Sequence, residues 1–189
     1  MKIKRLSILL MWWSYFMTWP VLPSDSGVRQ QVVEVRKSEV KFISKADLET
    51  IQAMSDKLRG KVSKDINKFE FALPIESFVG FNSPLQREHF LENYMEVDLY
   101  PRATYSGVII DPVDWSKEGS SSFRTKGKLT IHGVTKECIS RVILTNQNQK
   151  LSFKSDFSVM LKDYNIAIPR LVKQKISEEI NISVSGDLY

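Results

Sequence analysis

Hydrophobic and polar residues alternate along most of the chain, with one long break between Phe78 and Gly107. In segment 68–76, Phe69 and Phe71 lie on one face of an extended chain and charged side chains lie on the other. Segment 123–132 repeats the pattern. Alternation with a period of two predicts β-strands that each bury one face.

The alternating segments predict roughly eight strands, which is within the usual size of a closed sheet. They cover residues 38–44, 51–62, 68–76, 102–111, 123–132, 136–146, 151–161 and 179–188. A change of parity near Asp56 and Lys57 predicts a bulge or turn inside the second segment. Because no helices alternate with the strands, a parallel α/β fold is not expected. Antiparallel strands with one apolar face close into a barrel or pair as a sandwich.

The break itself predicts one helical excursion, from about Pro84 to Met95. Ser83 is a good N-cap, Pro84 suits the first helical position, and Gln86 completes a capping box. Phe90, Leu91, Tyr94 and Met95 form the apolar side at helical spacing, and Arg87, His89 and Glu92 form the polar side.

Shorter signals predict the joints between strands. Pro74 predicts an edge or a bend, because proline donates no hydrogen bond to a sheet. Gly119–Ser122 is expected to be a polar turn, and His132 with Gly133 a hairpin turn. Residues 28–37 are polar and suggest either a leader or an edge strand.

Residues 1–27 are typical of a signal peptide, so the expected mature domain is 28–189. Lys2, Lys4 and Arg5 precede an apolar run that is shorter than the roughly 20 residues of a spanning helix. An uncleaved anchor is the alternative, because the cleavage site lacks an Ala-x-Ala pattern. The pattern predicts a periplasmic or secreted protein.

Charge argues against a nucleic-acid partner. Removing residues 1–27 leaves 24 basic and 21 acidic residues, a net charge of +3 that is dispersed along the chain. Lys126, Lys128 and Lys136 could meet an anionic membrane surface transiently, although a solvated strand face is the interpretation we favour.

The inward positions contain many phenylalanines. Each alone is more often ordinary core than a binding residue, but together they are typical of an apolar ligand site. With the polar side of the helix they give the predicted ligand-binding set: Phe42, Phe69, Phe71, Phe78, Phe81, Arg87, His89, Phe90, Tyr94, Phe153 and Phe157. Small inward residues (Ala53, Gly60, Gly127 and Ser155) either leave room for a ligand or relieve crowding where the barrel bends.

Catalytic and metal sites are not predicted, and neither is a cofactor. His89 and Glu92 are three residues apart on a helix, but a zinc site needs three or four ligands and the chain has two histidines. No serine or cysteine is paired in sequence with a base, and Cys138 lies in a predicted strand, where a buried structural thiol is the common case.

Three segments together resemble the YceI-like family. They are GKLTIHGVTKE (127–137), EHFLENYM (88–95) followed by YPRATYSG (100–107), and DYNIAIPRLVKQKI (163–176). The resemblance implies an all-β, extended antiparallel, lipocalin-like β-barrel that is exported and holds a polyisoprenoid chain, with no established enzymatic activity.

The chain departs from the family pattern in two places. The first strand, SEVKFIS (38–44), lacks the usual histidine, and Arg87-Glu88-His89-Phe90 has altered spacing relative to the family's Arg-Asp-x-His-Leu. These differences leave the ligand head group open. A lipid carrier is the leading hypothesis; a barrel filled by its own side chains and an enzyme that uses Arg87, His89 and Glu92 are the alternatives.

Overall fold

The computed structural model describes residues 31–189, so the predicted signal peptide lies outside the described residues. The strands are β1 (Val32–Lys45), β2 (Thr50–Ser55), β3 (Arg59–Ser63), β4 (Lys68–Pro74), β5 (Arg102–Ile109), β6 (Gly119–Ile131), β7 (Val134–Gln147), β8 (Lys150–Met160) and β9 (Glu179–Leu188). Helix α1 (Pro84–His89) continues into a π-helical turn, Phe90–Tyr94. Single turns of 3₁₀-helix lie at Ile75–Ser77, Leu161–Tyr164 and Arg170–Val172.

The strands form one antiparallel sheet that closes on itself through pairing of β1 with β9. β3 pairs with the first part of β1, and β2 pairs with its last part, so the two short strands lie end to end along one neighbour. The ring therefore has eight positions. The predicted antiparallel barrel is confirmed, and the sandwich alternative is wrong.

The change of parity near Asp56 and Lys57 marks the joint between β2 and β3. Pairing along β1 shifts register at the same level, between Arg36 and Glu39. The Ser38 hydroxyl lies 3.2 Å from the carbonyl oxygens of both Asp56 and Leu58, so it connects the two irregularities. A bulge increases local bending, which a closed barrel needs.

Two predictions about the joints are wrong. Gly119–Ser122 is not a turn but the start of β6, whose pairing with β7 runs from Gly119–Asn146 to Ile131–Val134. The serine run has no apolar alternation, but the long hairpin extends through it and supplies its hydrogen bonds. Residues 32–37 likewise belong to β1, which is paired on both sides and is not an edge.

Pro74 lies at the end of β4, between β3 and β5, so the edge interpretation is wrong and the bend is confirmed. The chain turns there into the 3₁₀ turn Ile75–Ser77. The hairpin predicted at His132 and Gly133 is confirmed; both have positive φ, 50° and 70°.

Inward glycines relieve crowding. A methyl group at Gly60 would overlap the ring of Phe71, its cross-strand partner, and one at Gly127 would lie 2.9 Å from Cε2 of Tyr105. The space above these glycines is therefore occupied by aromatic rings of neighbouring strands.

The connections divide between two ends of the barrel. We call one the helix end; it carries residues 46–49, 75–101, 132–133 and 161–178. We call the other the Trp115 end; it carries residues 64–67, 110–118 and 148–149. All long connections except 110–118 therefore lie at the helix end.

Candidate ligand-binding site

The inward faces of the strands enclose a cavity of about 530 Å³. Ligand sites in proteins typically measure about 300–1,000 Å³. The lining is aliphatic and aromatic nearly throughout, and it extends from Trp115, at one end, to Leu85 and Lys175 at the helix end. Because Leu85 is 57% exposed, the cavity reaches the surface at the helix end.

Four phenylalanines from three separate segments meet near this mouth. The Phe42 ring lies 5.2 Å from Phe78, 5.9 Å from Phe81 and 5.4 Å from Phe90, measured between centroids. Phe81 and Phe90 are also 5.0 Å apart. Aromatic pairs at such distances contribute beyond their buried area. We call these four residues the mouth cluster; it joins β1 to the β4–β5 connection.

A second aromatic group lies deeper in the barrel. Phe69 contacts Phe71 and Tyr105, with centroid distances of 5.6 and 4.8 Å, and Phe71 lies 6.0 Å from Phe153. All four line the cavity. The alternation seen in the sequence therefore places aromatic walls along the cavity as well as at its mouth.

Hydroxyl groups form a belt on the cavity wall and satisfy one another. The Tyr105 hydroxyl lies 3.0 Å from Oγ1 of Thr125, which donates to the Ser140 carbonyl at 3.2 Å. Oγ of Ser140 lies 2.6 Å from Oγ of Ser155, which donates to the Arg141 carbonyl at 2.9 Å. Since these groups already have partners, the belt does not require a polar ligand atom.

Burial raises the pKa of Tyr105 to about 12 and also raises the pKa of the Cys138 thiol. Removal from water disfavours the charged form of both groups. A thiol held in its protonated form is a poor nucleophile, in agreement with a structural role for Cys138.

Helix α1 is placed over the mouth by specific hydrogen bonds. The Ser83 hydroxyl accepts from the Gln86 amide at 3.1 Å, as the capping prediction requires. A capping box would also have the side-chain oxygen Oε1 of Gln86 accept from the backbone N–H of Ser83. Here Oε1 accepts from the backbone N–H of Asn82 instead. Nε2 of Gln86 and Nδ2 of Asn82 both donate to Oε1 of Glu49 at 3.0 Å, so the helix start is tied to the β1–β2 turn.

The predicted helix ends as α-helix at His89 and continues as a π-helical turn, in which the Met95 amide donates to the Phe90 carbonyl at 3.0 Å. Phe90, Tyr94 and Met95 line the cavity, and Leu91 packs against the core beside it. The predicted apolar side of the helix therefore contacts the barrel.

The polar side of the helix does not converge on one point. Nε of Arg87 donates to the Phe78 carbonyl at 3.0 Å, and its Nη2 donates to the Glu76 carbonyl at 2.6 Å. His89 lines the cavity mouth, whereas neither Arg87 nor Glu92 does. The geometry thus gives Arg87 a structural role and leaves only His89 facing the cavity.

Ten of the eleven predicted ligand-binding residues line the cavity, and Arg87 is the exception. The ten are Phe42, Phe69, Phe71, Phe78, Phe81, His89, Phe90, Tyr94, Phe153 and Phe157. Their contact with a ligand stays a prediction.

Sequence reasoning missed much of the mouth, because the β8–β9 connection lacks a regular pattern. Tyr164, Ile166, Val172 and Ile176 from this segment all line the cavity. The signal available was their apolar character in an otherwise polar stretch. Trp115 was also missed; it comes from the 110–118 loop and packs against Phe123 with a centroid distance of 6.2 Å.

His132 has a role that its turn position did not predict. Nε2 lies 2.7 Å from Oε2 of Glu96, and Nδ1 lies 3.0 Å from the Tyr164 carbonyl oxygen. The Tyr100 ring packs edge-on against the imidazole, with a centroid distance of 4.6 Å. His132 therefore connects the β6–β7 hairpin to both long connections of the helix end.

Within residues 31–189 the structure places no group of three or more His, Cys, Asp or Glu residues that could hold a metal ion. In the same range, no helix is both long and apolar enough to cross a bilayer.

A sequence model of the YceI-like domain matches residues 31–188 of the chain. The protein belongs to the YceI-like family. The match covers all nine strands and agrees with the resemblance of the three sequence segments.

Solved structures agree at the level of the fold. The chain is similar to a polyisoprenoid-binding domain from Saccharophagus degradans, which is implicated in plant cell wall breakdown; identity is 14%, the TM-score is 0.70, and 85% of this chain and 98% of that one are covered. It is also similar to BcnA from Burkholderia cenocepacia, with 15% identity, a TM-score of 0.64 and coverage of 81% and 96%. For the YceI protein of Campylobacter jejuni the identity is 16%, the TM-score 0.52 and the coverage 68% and 77%. No curated protein sequence matches the chain significantly.

Proposed function

We propose that the protein is an exported carrier or sequestering protein that holds one apolar, isoprenoid-type lipid chain inside its barrel. The observation that carries the proposal is the cavity of about 530 Å³, lined by aromatic and aliphatic side chains and open at the helix end. The similar domain from Saccharophagus degradans is described as polyisoprenoid-binding, which supports this ligand class.

Hydrophobic burial supplies the binding energy in this proposal. Each methylene group removed from water contributes about 0.8 kcal/mol, so ten carbons contribute roughly 8 kcal/mol. Association itself costs about 4–15 kcal/mol. Chains of about 15 carbons or more are therefore needed for tight binding by burial alone.

In this proposal, a polar group of the bound lipid lies at the helix end of the barrel. His89, Gln86 and Lys175 line the cavity there, together with Glu49. The deeper hydroxyl belt is satisfied internally, so it offers no equivalent site. Polar groups at the mouth would then provide selectivity that the apolar wall cannot provide.

Export is supported by the sequence of residues 1–27, with a basic start and a short apolar run. Domain 28–189 is accordingly the proposed mature protein.

The two alternatives have less support. A barrel filled by its own side chains would leave no cavity of this size. An enzyme that uses Arg87, His89 and Glu92 would need the three side chains to converge, whereas Arg87 binds backbone carbonyls and Glu92 lies outside the cavity lining.

The test is chemical identification of what the purified protein contains. Organic extracts of the native protein, analysed by mass spectrometry, are expected to hold an isoprenoid or similar lipid in near-stoichiometric amount. The protein stripped of lipid should then bind an isoprenoid alcohol more tightly than a short-chain alcohol. A protein that is repeatedly lipid-free and takes up no isoprenoid contradicts the proposal.

A further inference from the structure

The seam between β7 and β8 is paired over less than half of its length. Pairing runs from Ile143 with Lys154 to the turn at 148–149, close to the Trp115 end. Within residues 31–189, segments 134–142 of β7 and 155–160 of β8 have no strand partner on their facing sides, although β6 and β9 pair with their other sides. We call the gap between these two segments the slot.

The slot lies against the cavity. Val142 from β7 and Phe157 and Val159 from β8 all line the cavity. The slot extends toward the helix end, since β7 begins after the 132–133 hairpin and β8 leads into the 161–178 connection. It therefore continues the cavity mouth down one side of the barrel wall.

Side chains, rather than a backbone ladder, hold the slot closed. Next to the paired part, the Ser155 hydroxyl donates to the Arg141 carbonyl at 2.9 Å and lies 2.6 Å from the Ser140 hydroxyl oxygen. At the helix end, Nδ1 of His132 lies 3.0 Å from the Tyr164 carbonyl oxygen, which joins the hairpin before β7 to the turn after β8. Opening the slot therefore breaks fewer hydrogen bonds than separating two strands with a continuous ladder.

The side chain of Tyr164 plugs the slot. Tyr164 follows β8 in the 3₁₀ turn Leu161–Tyr164 and is only 5% exposed. It lines the cavity, and burial together with the nearby Cys138 of β7 raises the pKa of its phenol. Because Tyr164 belongs to the β8 side and Cys138 to the β7 side, the ring covers the slot between them.

We propose that the slot is a lateral gate through which the lipid chain enters and leaves the barrel. The inference rests on the proposed carrier function. A chain that enters end-on must thread past the rings of the mouth cluster and beneath α1, which hydrogen bonds tie to the β1–β2 turn. A gate along the wall admits a branched chain sideways, with Tyr164 moving out as the strands separate. Movements of such elements commonly set the rates at which ligands enter and leave.

The fluorescence of Trp115 can follow lipid uptake. Trp115 is the single tryptophan of the proposed mature protein, 28–189, and it lines the cavity at the end away from the mouth. Its signal therefore reports the arrival of a chain deep in the barrel. Lipid-stripped protein is mixed with geranylgeraniol by stopped flow, which gives the uptake rate, and calorimetry gives the affinity.

Val159→Cys allows the gate to be locked. Continuing the β7–β8 register past Ile143 and Lys154 places Val159 opposite Cys138, and both residues pack toward the core. The two thiols are joined by oxidation, or by a short bifunctional alkylating reagent if they are too far apart for a disulfide. Uptake by the joined form is expected to be about tenfold slower than uptake by the unjoined form of the same variant.

The control for cross-linking is Thr130→Cys with Thr135→Cys in a Cys138→Ala background. The two threonine hydroxyl oxygens lie 2.8 Å apart on the β6–β7 hairpin, whose strands are paired along the whole of β6. Joining these thiols should leave the uptake rate unchanged.

Tyr164→Ala tests the gate in the opposite direction and is expected to raise the uptake rate about fivefold. Its matched control is Phe69→Ala, because Phe69 also lines the cavity, is 6% exposed and lies on a strand that is paired on both sides. Phe69→Ala should weaken binding without speeding uptake. A cooperative unfolding transition is required of both variants, and the cross-linking comparison decides alone if either fails to fold.

Equal uptake rates of the joined and unjoined Val159→Cys protein would show that the mouth suffices and would overturn the gate. Tyr164→Ala that takes up lipid no faster than Phe69→Ala contradicts it as well. In both cases the carrier function stands, since lipid is still bound. Protein that binds no geranylgeraniol in any form contradicts the carrier function, and the gate with it.

Discussion

At the helix end, the long β4–β5 connection packs the rings of Phe78, Phe81 and Phe90 around Phe42, while at the Trp115 end one loop places a single indole against Phe123. The helix end also carries the polar groups that line the mouth. At the Trp115 end, Nδ2 of Asn146 fixes the loop by lying 3.3 Å from the carbonyl oxygens of Trp115 and Ser116.

The connections at the two ends of the barrel are therefore held in place by different kinds of contact. Hydrogen bonds from one asparagine can hold a short loop in place. The helix end instead depends on several side-chain contacts made by its connections, such as Phe42 with Phe90 and His132 with Glu96. We infer that the helix end is the part of the barrel where substitutions change stability and binding together.

The largest expected effect is that of Phe42→Ala. It removes the common partner of three rings, and we expect the free energy of unfolding to fall by about 3 kcal/mol, near the lower limit for Phe→Ala because Phe42 is only half-buried. Trp115→Ala should cost roughly half as much, since one ring contact is lost. Urea unfolding followed by circular dichroism measures both. If Trp115→Ala proves the more costly, the comparison of the two ends is wrong.

Arg87→Met should destabilise the protein by about 1 kcal/mol, because the carbonyls of Phe78 and Glu76 lose a charged hydrogen-bond donor. The cost stays small because the bond to Glu76 is exposed, so water can replace the guanidinium there. The effect should be concentrated in α1, which hydrogen exchange measures as faster exchange of the helix amides. Arg124→Met is the control at the Trp115 end, where the guanidinium bonds to Asp111. Unchanged exchange in α1 would argue that Arg87 does not hold the helix.

Stability should decline at alkaline pH through Tyr105. Its pKa is raised by burial from 10.0 to about 12, so the fold favours the neutral phenol. The contribution of this group is complete below pH 10 and is lost as the pH rises through about 12. Tyr105→Phe should flatten this part of the profile of melting temperature against pH. If the melting temperature of Tyr105→Phe falls with alkaline pH as steeply as that of the unchanged protein, other groups cause the decline.

The smallest expected effect lies at the Trp115 end. Hydrogen bonds from Arg124 lower the pKa of Asp111 from 3.8 to about 2. A lowered folded-state pKa gives stability that is present above the usual value and is lost as pH falls through the folded value. Asp111→Asn should therefore reduce the loss of melting temperature between about pH 4 and pH 2. The change is expected to be small because water surrounds the pair.

The barrel wall could be predicted from sequence because each strand carries its own period-two signal. Phe69, Phe71, Phe153 and Phe157 face the cavity as their alternation requires. The cap of α1 was also predictable, because Ser83 and Gln86 act within one turn. These are local properties of a few neighbouring residues.

The mouth could be predicted only in part, because its contacts join residues far apart in the chain. Nothing near His132 indicates that its imidazole reaches Glu96 and Tyr164. Arg87 was assigned to the ligand site from its position on the helix, but its guanidinium bonds to the backbone carbonyls of Glu76 and Phe78. Val172 and Ile176 gave no periodic signal.

The central claim, that an apolar chain occupies the barrel, is tested most directly by filling the cavity. Ala103 on β5 lines the cavity, whereas Ser106 on the same strand is exposed on the outer wall. Binding of an isoprenoid alcohol to the lipid-stripped variants Ala103→Phe and Ser106→Phe is measured by calorimetry, with a cooperative unfolding transition required of both. The account predicts at least about a tenfold loss of affinity for Ala103→Phe, from overlap with the chain, and none for Ser106→Phe. Equal affinity in the two variants would place the ligand outside the cavity and contradict the claim.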